Sequence, residues 1–302
     1  MQVIYNGKDI SASIEVKSAI ACDMAGGKSD SLDIAVADTE GLWSKWKPQH
    51  NDTLELIDGN YKTGMMYVDG RGQTNGLFVL KAKATPQKAK SNGTRAWEKV
   101  RFSQVASDLA AAAGLQYSGY EITDWMYDRI DQMDETPLGC LKRLCTREGY
   151  FLKAVGGKAI VYSGKQFDAK SPVKTVYKSD FLGEFSFCDN AETKSACVVR
   201  YGGVSFRFAP HGATGGELKI TTERVASIAE AERFAQGYLR DANKDSVIGM
   251  FTIESSPNIA AGNTIQVADV GMFDGKYFIS TCKRDLIAGN MQLSVRGVLE
   301  GY

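Results

Sequence analysis

The amino-acid sequence predicts a mainly β protein in which two β-rich regions flank a small α/β insert. Three observations carry this expectation. Apolar residues alternate with polar or small ones near both ends of the 302-residue chain, as at Leu32, Ile34 and Val36, the period of a half-buried strand. Turn dipeptides such as Asn6-Gly7, Asp58-Gly59, Asp69-Gly70 and Asn75-Gly76 separate short apolar runs in the first region, and both residues of an Asn-Gly pair tolerate positive φ. Helix signals concentrate in the middle and at one later point, at Thr136-Pro137 and Ser227-Ile228-Ala229-Glu230.

Residues 1–88 read as strands around Val3-Ile4-Tyr5, Ile14 to Val16, Leu32 to Val36, Leu54 to Ile57, Met65 to Val68 and Leu77 to Leu80. Their 8–12-residue spacing suits a small barrel or sandwich. Asp38 to Pro48 contains Trp43 and Trp46 and reads as a short helical turn whose indoles cover one end of a sheet. The polar, lysine-rich stretch Gln87 to Arg95 reads as a linker into the insert, residues 89–182. There Ser103 is the expected N-cap of a helix over Val105 to Ala113 that Gly114 ends, and Thr136-Pro137 opens a second helix. Leu138, Leu141, Leu144 and Cys145 form its apolar face, Gly149 ends it, and Tyr150 to Val155 and Lys158 to Tyr162 form a hairpin about Gly156-Gly157. Residues 183–302 return to β, interrupted by a helix with a capping box at Ser227 and an apolar face of Ala231, Phe234, Ala235, Tyr238 and Leu239. That helix is expected to pack on the second β region through Phe234 and Tyr238.

Composition and motifs exclude several chemistries. Lys+Arg and Asp+Glu each total 36, so there is no global basic surface of the kind phosphate neutralisation requires, and sequence-specific nucleic-acid binding is not expected. No apolar run approaches the ~20 residues that span a bilayer, and the N-terminus lacks the features of a signal peptide. The six cysteines form no C-x-x-C pair and are expected to be reduced, small core residues; neither a metal site nor a cofactor is expected. Gly26-Gly27-Lys28-Ser29 resembles the end of a phosphate-binding loop, but Cys22 stands where the first glycine belongs and a strand, not a helix, follows. His50 and His211 lie in polar loops without a nucleophile motif. Asp128, Asp131, Asp134 and Glu135 form an acidic cluster, read as a solvated run before a helix. No catalytic residues are assigned.

Three segments taken together resemble the phage late control gene D family, the baseplate hub proteins of contractile tails, related to the hub portion of type VI secretion spikes. The first runs from Leu32-Asp33-Ile34 through Trp43, Trp46 and Pro48 to Asp52-Thr53-Leu54, with Asn51-Asp52 where the family has Gly-Asp. The second spans Thr136, Gly149, Tyr150 and the Gly156-Gly157 hairpin. The third holds the Glu230–Asn243 helix, Gly262, Phe273, Gly275 and Tyr277. The sequence departs from the family near Arg284, where many members have a histidine. The resemblance implies two β-barrel-like tube domains per chain and a homotrimer that joins a hexameric tail tube to a separate trimeric spike protein, in contact with other baseplate proteins. It also implies synthesis in the host cytoplasm followed by assembly into a virion tail or tail-like particle. A tail-associated cell-wall hydrolase using the acidic cluster and a carbohydrate-binding β module are the alternatives; loss of peptidoglycan turbidity and glycan-array binding would reveal them.

Overall fold

The structure is a computed structural model that describes residues 1–190 and 192–302. The first β region contains β1 (Gln2–Tyr5), β2 (Lys8–Asp9), β3 (Val16–Met24), β4 (Ser31–Ala37), α1 (Leu42–Trp46), β5 (Thr53–Asp58), β6 (Tyr61–Lys62), β7 (Met66–Thr74) and β8 (Leu77–Lys83). Asn6 and Gly7, at φ 47° and 77°, close the β1–β2 hairpin, and Asn75 and Gly76, at 47° and 74°, close β7–β8. These are the left-handed pairs that match the twist of the flanking strands. Leu32, Ile34 and Val36 of β4 point with Leu54, Leu56, Val68 and Leu80 into one buried core. Asp69-Gly70 is not a turn. It lies inside β7, where the register with β8 shifts between Val68 and Gly70, a bulge that bends the strand without ending it.

The middle of the chain forms β9 (Gly93–Arg101), α2 (Phe102–Ala112), β10 (Gln116–Tyr120), β11 (Met126–Glu135), α3 (Pro137–Arg147), β12 (Tyr150–Val155), β13 (Lys158–Ser163) and α4 (Gly164–Ala169). β9 and β11 make a two-stranded ribbon, and β10, β13 and β12 make a three-stranded sheet. The stretch expected as a linker is a 3-10 turn over Gln87–Lys90 followed by the start of β9. Helix α2 starts earlier than expected and Ser103 is not its N-cap. The Asp124 carboxylate instead accepts from the Ser103 amide at 2.8 Å and hydroxyl at 2.9 Å, so a distant loop caps this helix. The acidic cluster does precede a helix, since β11 ends at Glu135 next to the Thr136 cap of α3, but it lies on a strand.

The remainder contributes β14 (Thr175–Tyr177), β15 (Ser186–Asp189), β16 (Lys194–Tyr201), β17 (Val204–Phe208), β18 (Gly216–Ile220), α5 (Ile228–Asn243), β19 (Val247–Glu254), β20 (Thr264–Ala268), β21 (Gly275–Asp285) and β22 (Asn290–Gly297). Ser227 caps α5 by accepting from the Glu230 amide at 3.2 Å, while the Glu230 carboxylate accepts from the Ala226 amide at 2.6 Å. The helix packs, as expected, on strands within residues 183–302, but on β16 and β17 rather than on the strands that join the large sheet. Ala231, Phe234, Ala235 and Leu239 share a core with α2, α3 and β16, because β16, β17 and β18 form a separate sheet that covers this face. Gly237 lets α5 approach the end of α3 closely: a Cβ there would collide with the Arg147 carbonyl.

The two β regions are continuous. One 14-stranded sheet runs β15-β19-β22-β21-β3-β4-β8-β7-β5-β1-β2, with β6 on β5 and β20-β14 branching from β21. The join is an antiparallel pairing of β21 with β3, Thr281 opposite Met24 through Asp285 opposite Ile20. The pairings among the described residues form an open path, not two closed rings. Each region leaves one long strand edge to satisfy, and the two edges satisfy each other.

Candidate functional site

The residues singled out from the sequence fall into three separate places. In the first β region Trp43 is buried and stacks on Phe78 with centroids 5.6 Å apart, while Trp46 lies 4.8 Å from Trp43, 4.7 Å from Tyr5, and is 51% exposed. Pro48 is buried and its carbonyl accepts from Arg71. Asp52 ties the turn to β1, accepting from the Tyr5 hydroxyl, from Asn6 at 3.0 Å and from the Gln49 amide at 2.6 Å. Burial alone would raise its pKa, but these donors outweigh it and hold the carboxyl below the usual range. Asn51 adopts φ 74°, the left-handed conformation that favours glycine, and asparagine reaches it at little cost.

In the insert, the Thr136 hydroxyl accepts from the Gly139 amide at 3.1 Å and caps α3, and Gly149 leaves that helix at φ 69°. The Tyr150 hydroxyl is bonded to both the amide and the carbonyl of Thr123 at 3.1 Å. In the last region, the Gly262 amide donates to the Ile279 carbonyl at 2.9 Å and Gly262 sits at φ 97°. Tyr277 donates to the Phe273 carbonyl at 2.8 Å, and Gly275 opens β21. All eleven positions shape caps, turns and packing in their own regions, and they do not converge on one pocket.

The structure instead brings together charged residues whose partners lie far off in the chain. Lys153 of β12 is ion-paired with Asp23 of β3 and lies 3.5 Å from Asp30, the residue before β4. Asp23 also accepts from the Ala261 amide at 2.8 Å, so the insert and both β regions meet at this point. Burial, relieved only partly by Lys153, pushes the Asp30 carboxyl up to about 7. Burial alone would lower the Lys153 pKa, but Asp23 and Asp30 outweigh it and raise it. The turn that joins these acids contains Gly26-Gly27-Lys28-Ser29. It links β3 to β4 and lies against Phe151 of the insert, which a Cβ at Gly26 would approach to 3.3 Å.

A second cluster lies beyond Phe151 and Tyr162 of the insert. Asp168 of α4 accepts from Arg240 of α5 and, at 2.8 and 3.2 Å, from Arg296 of β22. All three are nearly inaccessible. Arg284, where the family pattern departs, is also fully buried. It donates to the Ser255 hydroxyl at 3.1 Å, to the Ser256 carbonyl at 2.9 Å and to the Ile259 carbonyl, and its guanidinium lies 4.6 Å from the centre of the Tyr61 ring. It therefore pins a loop of the last region to β6 of the first. The one sequence signal for these clusters was a charged residue inside an apolar strand run, at Lys153, Arg284 and Arg296.

The other chemical candidates are engaged or dispersed. Asp128 pairs with Lys99, Asp131 with Arg129 at 2.8 Å and Glu135 with Arg143 at 2.7 Å, while Asn92 reaches Asp134 at 3.2 Å. His50 and His211 are both exposed. Burial pushes the Cys140 and Cys282 thiols up to about 12, which keeps them protonated. Cys188, however, is exposed on β15 and Cys22 is half-buried, so these two are not core residues.

No family model matches the sequence, and no curated protein matches it. Solved structures do match across its whole length. The 43 kDa tail protein of prophage MuSo2 from Shewanella oneidensis is 14% identical with a TM-score of 0.73, covering 98% of this chain and 97% of that one. A tail protein from Neisseria meningitidis MC58 is 12% identical with a TM-score of 0.76, covering 98% and 95%. A chain of a PdpA–VgrG complex is 8% identical with a TM-score of 0.52; the match covers 98% of this chain and 64% of that one. The chain has the fold of phage tail proteins, mainly β with an α/β insert.

Proposed function

We propose that the chain is a structural hub of a phage-type tail or tail-like injection particle, a homotrimeric adaptor between a hexameric tube and a separate trimeric spike. The observation that carries this reading is the match of fold over 98% of the chain to tail proteins of almost the same extent. Two β regions joined edge to edge in one sheet are compatible with three chains presenting six related units, and a ring of such sheets would cover the edges left open at β15 and β2. Exposed Leu42 and Trp46 at one end of the sheet and Ile248 and Met250 on β19 supply apolar surface for subunit contacts. In this reading the insert comprises residues 85–169 together with 192–243, and the second β unit comprises 170–190 together with 246–298; most of each set shares a buried core, with Ala25 and Tyr162 reaching into that of the second unit. The tube and spike proteins are the partners, and the eleven family-motif positions act by shaping the turns that present these surfaces. The test is a mass measurement by light scattering, with and without a tail tube protein. A particle of three chains, alone or with the tube, supports the proposal; a monomer under both conditions overturns it.

A further inference from the structure

We propose that the meeting point of Asp23, Asp30 and Lys153 is a proton-controlled latch: Asp30 holds a proton when the insert is seated on the turn between β3 and β4, and loss of that proton loosens the seat. The inference is independent of the tail assignment. Two carboxylates share one ammonium in a place where the side chains of Lys153, Asp23 and Asp30 are 14%, 15% and 5% exposed, so ionising all three buries a net negative charge.

Geometry decides which acid takes the proton. Both Asp23 oxygens are engaged, Oδ1 with Lys153 and Oδ2 with the Ala261 amide, and each contact favours the carboxylate. Asp30 uses Oδ1 to accept from the Met24 amide at 2.8 Å, while its Oδ2 has only Lys153 at 3.5 Å. That second oxygen is the place for a proton. The other titratable groups that act on this pair are Cys22 of β3, Tyr61 of β6 and Tyr162 of β13, the last donating to the Ala25 carbonyl inside the same turn. Asp33 of β4 and Lys283 of β21 act on Cys22, and Arg284 and Cys282 of β21 act on Tyr61. Arg296 of β22 and Asp168 of α4 act on Tyr162, and burial raises the tyrosines and cysteines, so these are neutral at pH 7 and add no negative charge to that of the two aspartates.

The position gives the proton its consequence. The turn lies between Phe151 of the insert and the loop carrying Ala261, so the seat of the insert on both β regions depends on this cluster. An unfolded aspartate releases its proton near pH 4, whereas Asp30 in the folded chain keeps it to about 7. The stabilisation of the protonated form is therefore complete below about pH 4 and is lost as the pH rises to about 7, by up to about tenfold in the unfolding constant per pH unit.

The test compares the intact chain with Asp30→Asn, which imitates the protonated side chain, by unfolding midpoint between pH 4.5 and 8.5. The expected result is that the variant gains on the wild type as pH rises to about 7, after which the gap stays constant. An ordinary ion-paired aspartate gives the opposite sign, with the variant losing ground as pH rises, and that result or parallel curves would overturn the proposal. Carboxyl carbon NMR of the wild type labelled at aspartate serves if the variant does not fold. One aspartate resonance titrating near pH 7, weakened in no other region when Lys153→Met moves it higher, supports the latch; titration of every aspartate below pH 5 overturns it.

Discussion

The two buried clusters that fasten the insert are opposite in composition. One sets two carboxylates, Asp23 and Asp30, about a single lysine; the other sets two guanidiniums, Arg240 and Arg296, about a single carboxylate. Both are buried and both bridge the insert to the shared sheet, yet they respond to pH in different ways. A guanidinium stays protonated at any pH the fold survives, so the Asp168 cluster is a fixed clamp. A surplus carboxylate takes up a proton, so the Lys153 cluster is adjustable. The cost of an unmatched buried charge is met by titration in one case and by ring faces in the other, since Arg296 lies 4.2 Å over Phe278.

That contrast is open to direct attack. Asp168→Asn leaves two buried guanidiniums without a counter-charge and should cost about 3–5 kcal/mol. Denaturant unfolding should show the same loss at pH 6 and pH 8; a loss that varies by more than a third between them would remove the distinction. Phe234→Ala should cost about 3–4 kcal/mol, because the ring is fully buried where α5 meets the insert and the helix carries Arg240 to its clamp. Its hydrogen-exchange signature should appear in α3 and β16, with β19 and β22 protected as before. Lys153→Met should cost about 2–3 kcal/mol at pH 8 and clearly less at pH 5.5, where Asp30 is already neutral. Ser227→Ala removes only the cap of α5 and should cost about 1 kcal/mol at either pH, the reference against which the other three are read by the same unfolding measurement.

Local features were legible because their causes are local. The Asn6-Gly7 turn, the Thr136 cap, the Gly149 stop and the Ser227 cap each depend on residues within a few positions, and each is where the sequence places it. Asp69-Gly70 was misread because the same pair serves a turn or a bulge, and only the pairing partner β8 decides between them. The apolar stripe of α5 was correctly found, but a stripe states that a face is buried without stating by what. The family-motif positions lie within single regions, whereas the residues that connect the regions, Lys153 with Asp23 and Asp168 with Arg296, were not among them. Their partners lie 130 and 128 residues apart in the chain.

The sequence by itself determined most strands of the two β regions, the helices α2, α3 and α5 and the β–insert–β order, though not β9, β10 or β11, because periodicity, turn conformation and capping act through neighbours in the chain. Tertiary structure decided that the two β regions are one sheet, that α5 and β16 to β18 belong to the core of the insert, and which buried charges face each other. Those outcomes depend on which strand edge and which charged group remain unsatisfied once the local elements have formed, and an unsatisfied edge or charge is met by whatever the folded chain brings beside it.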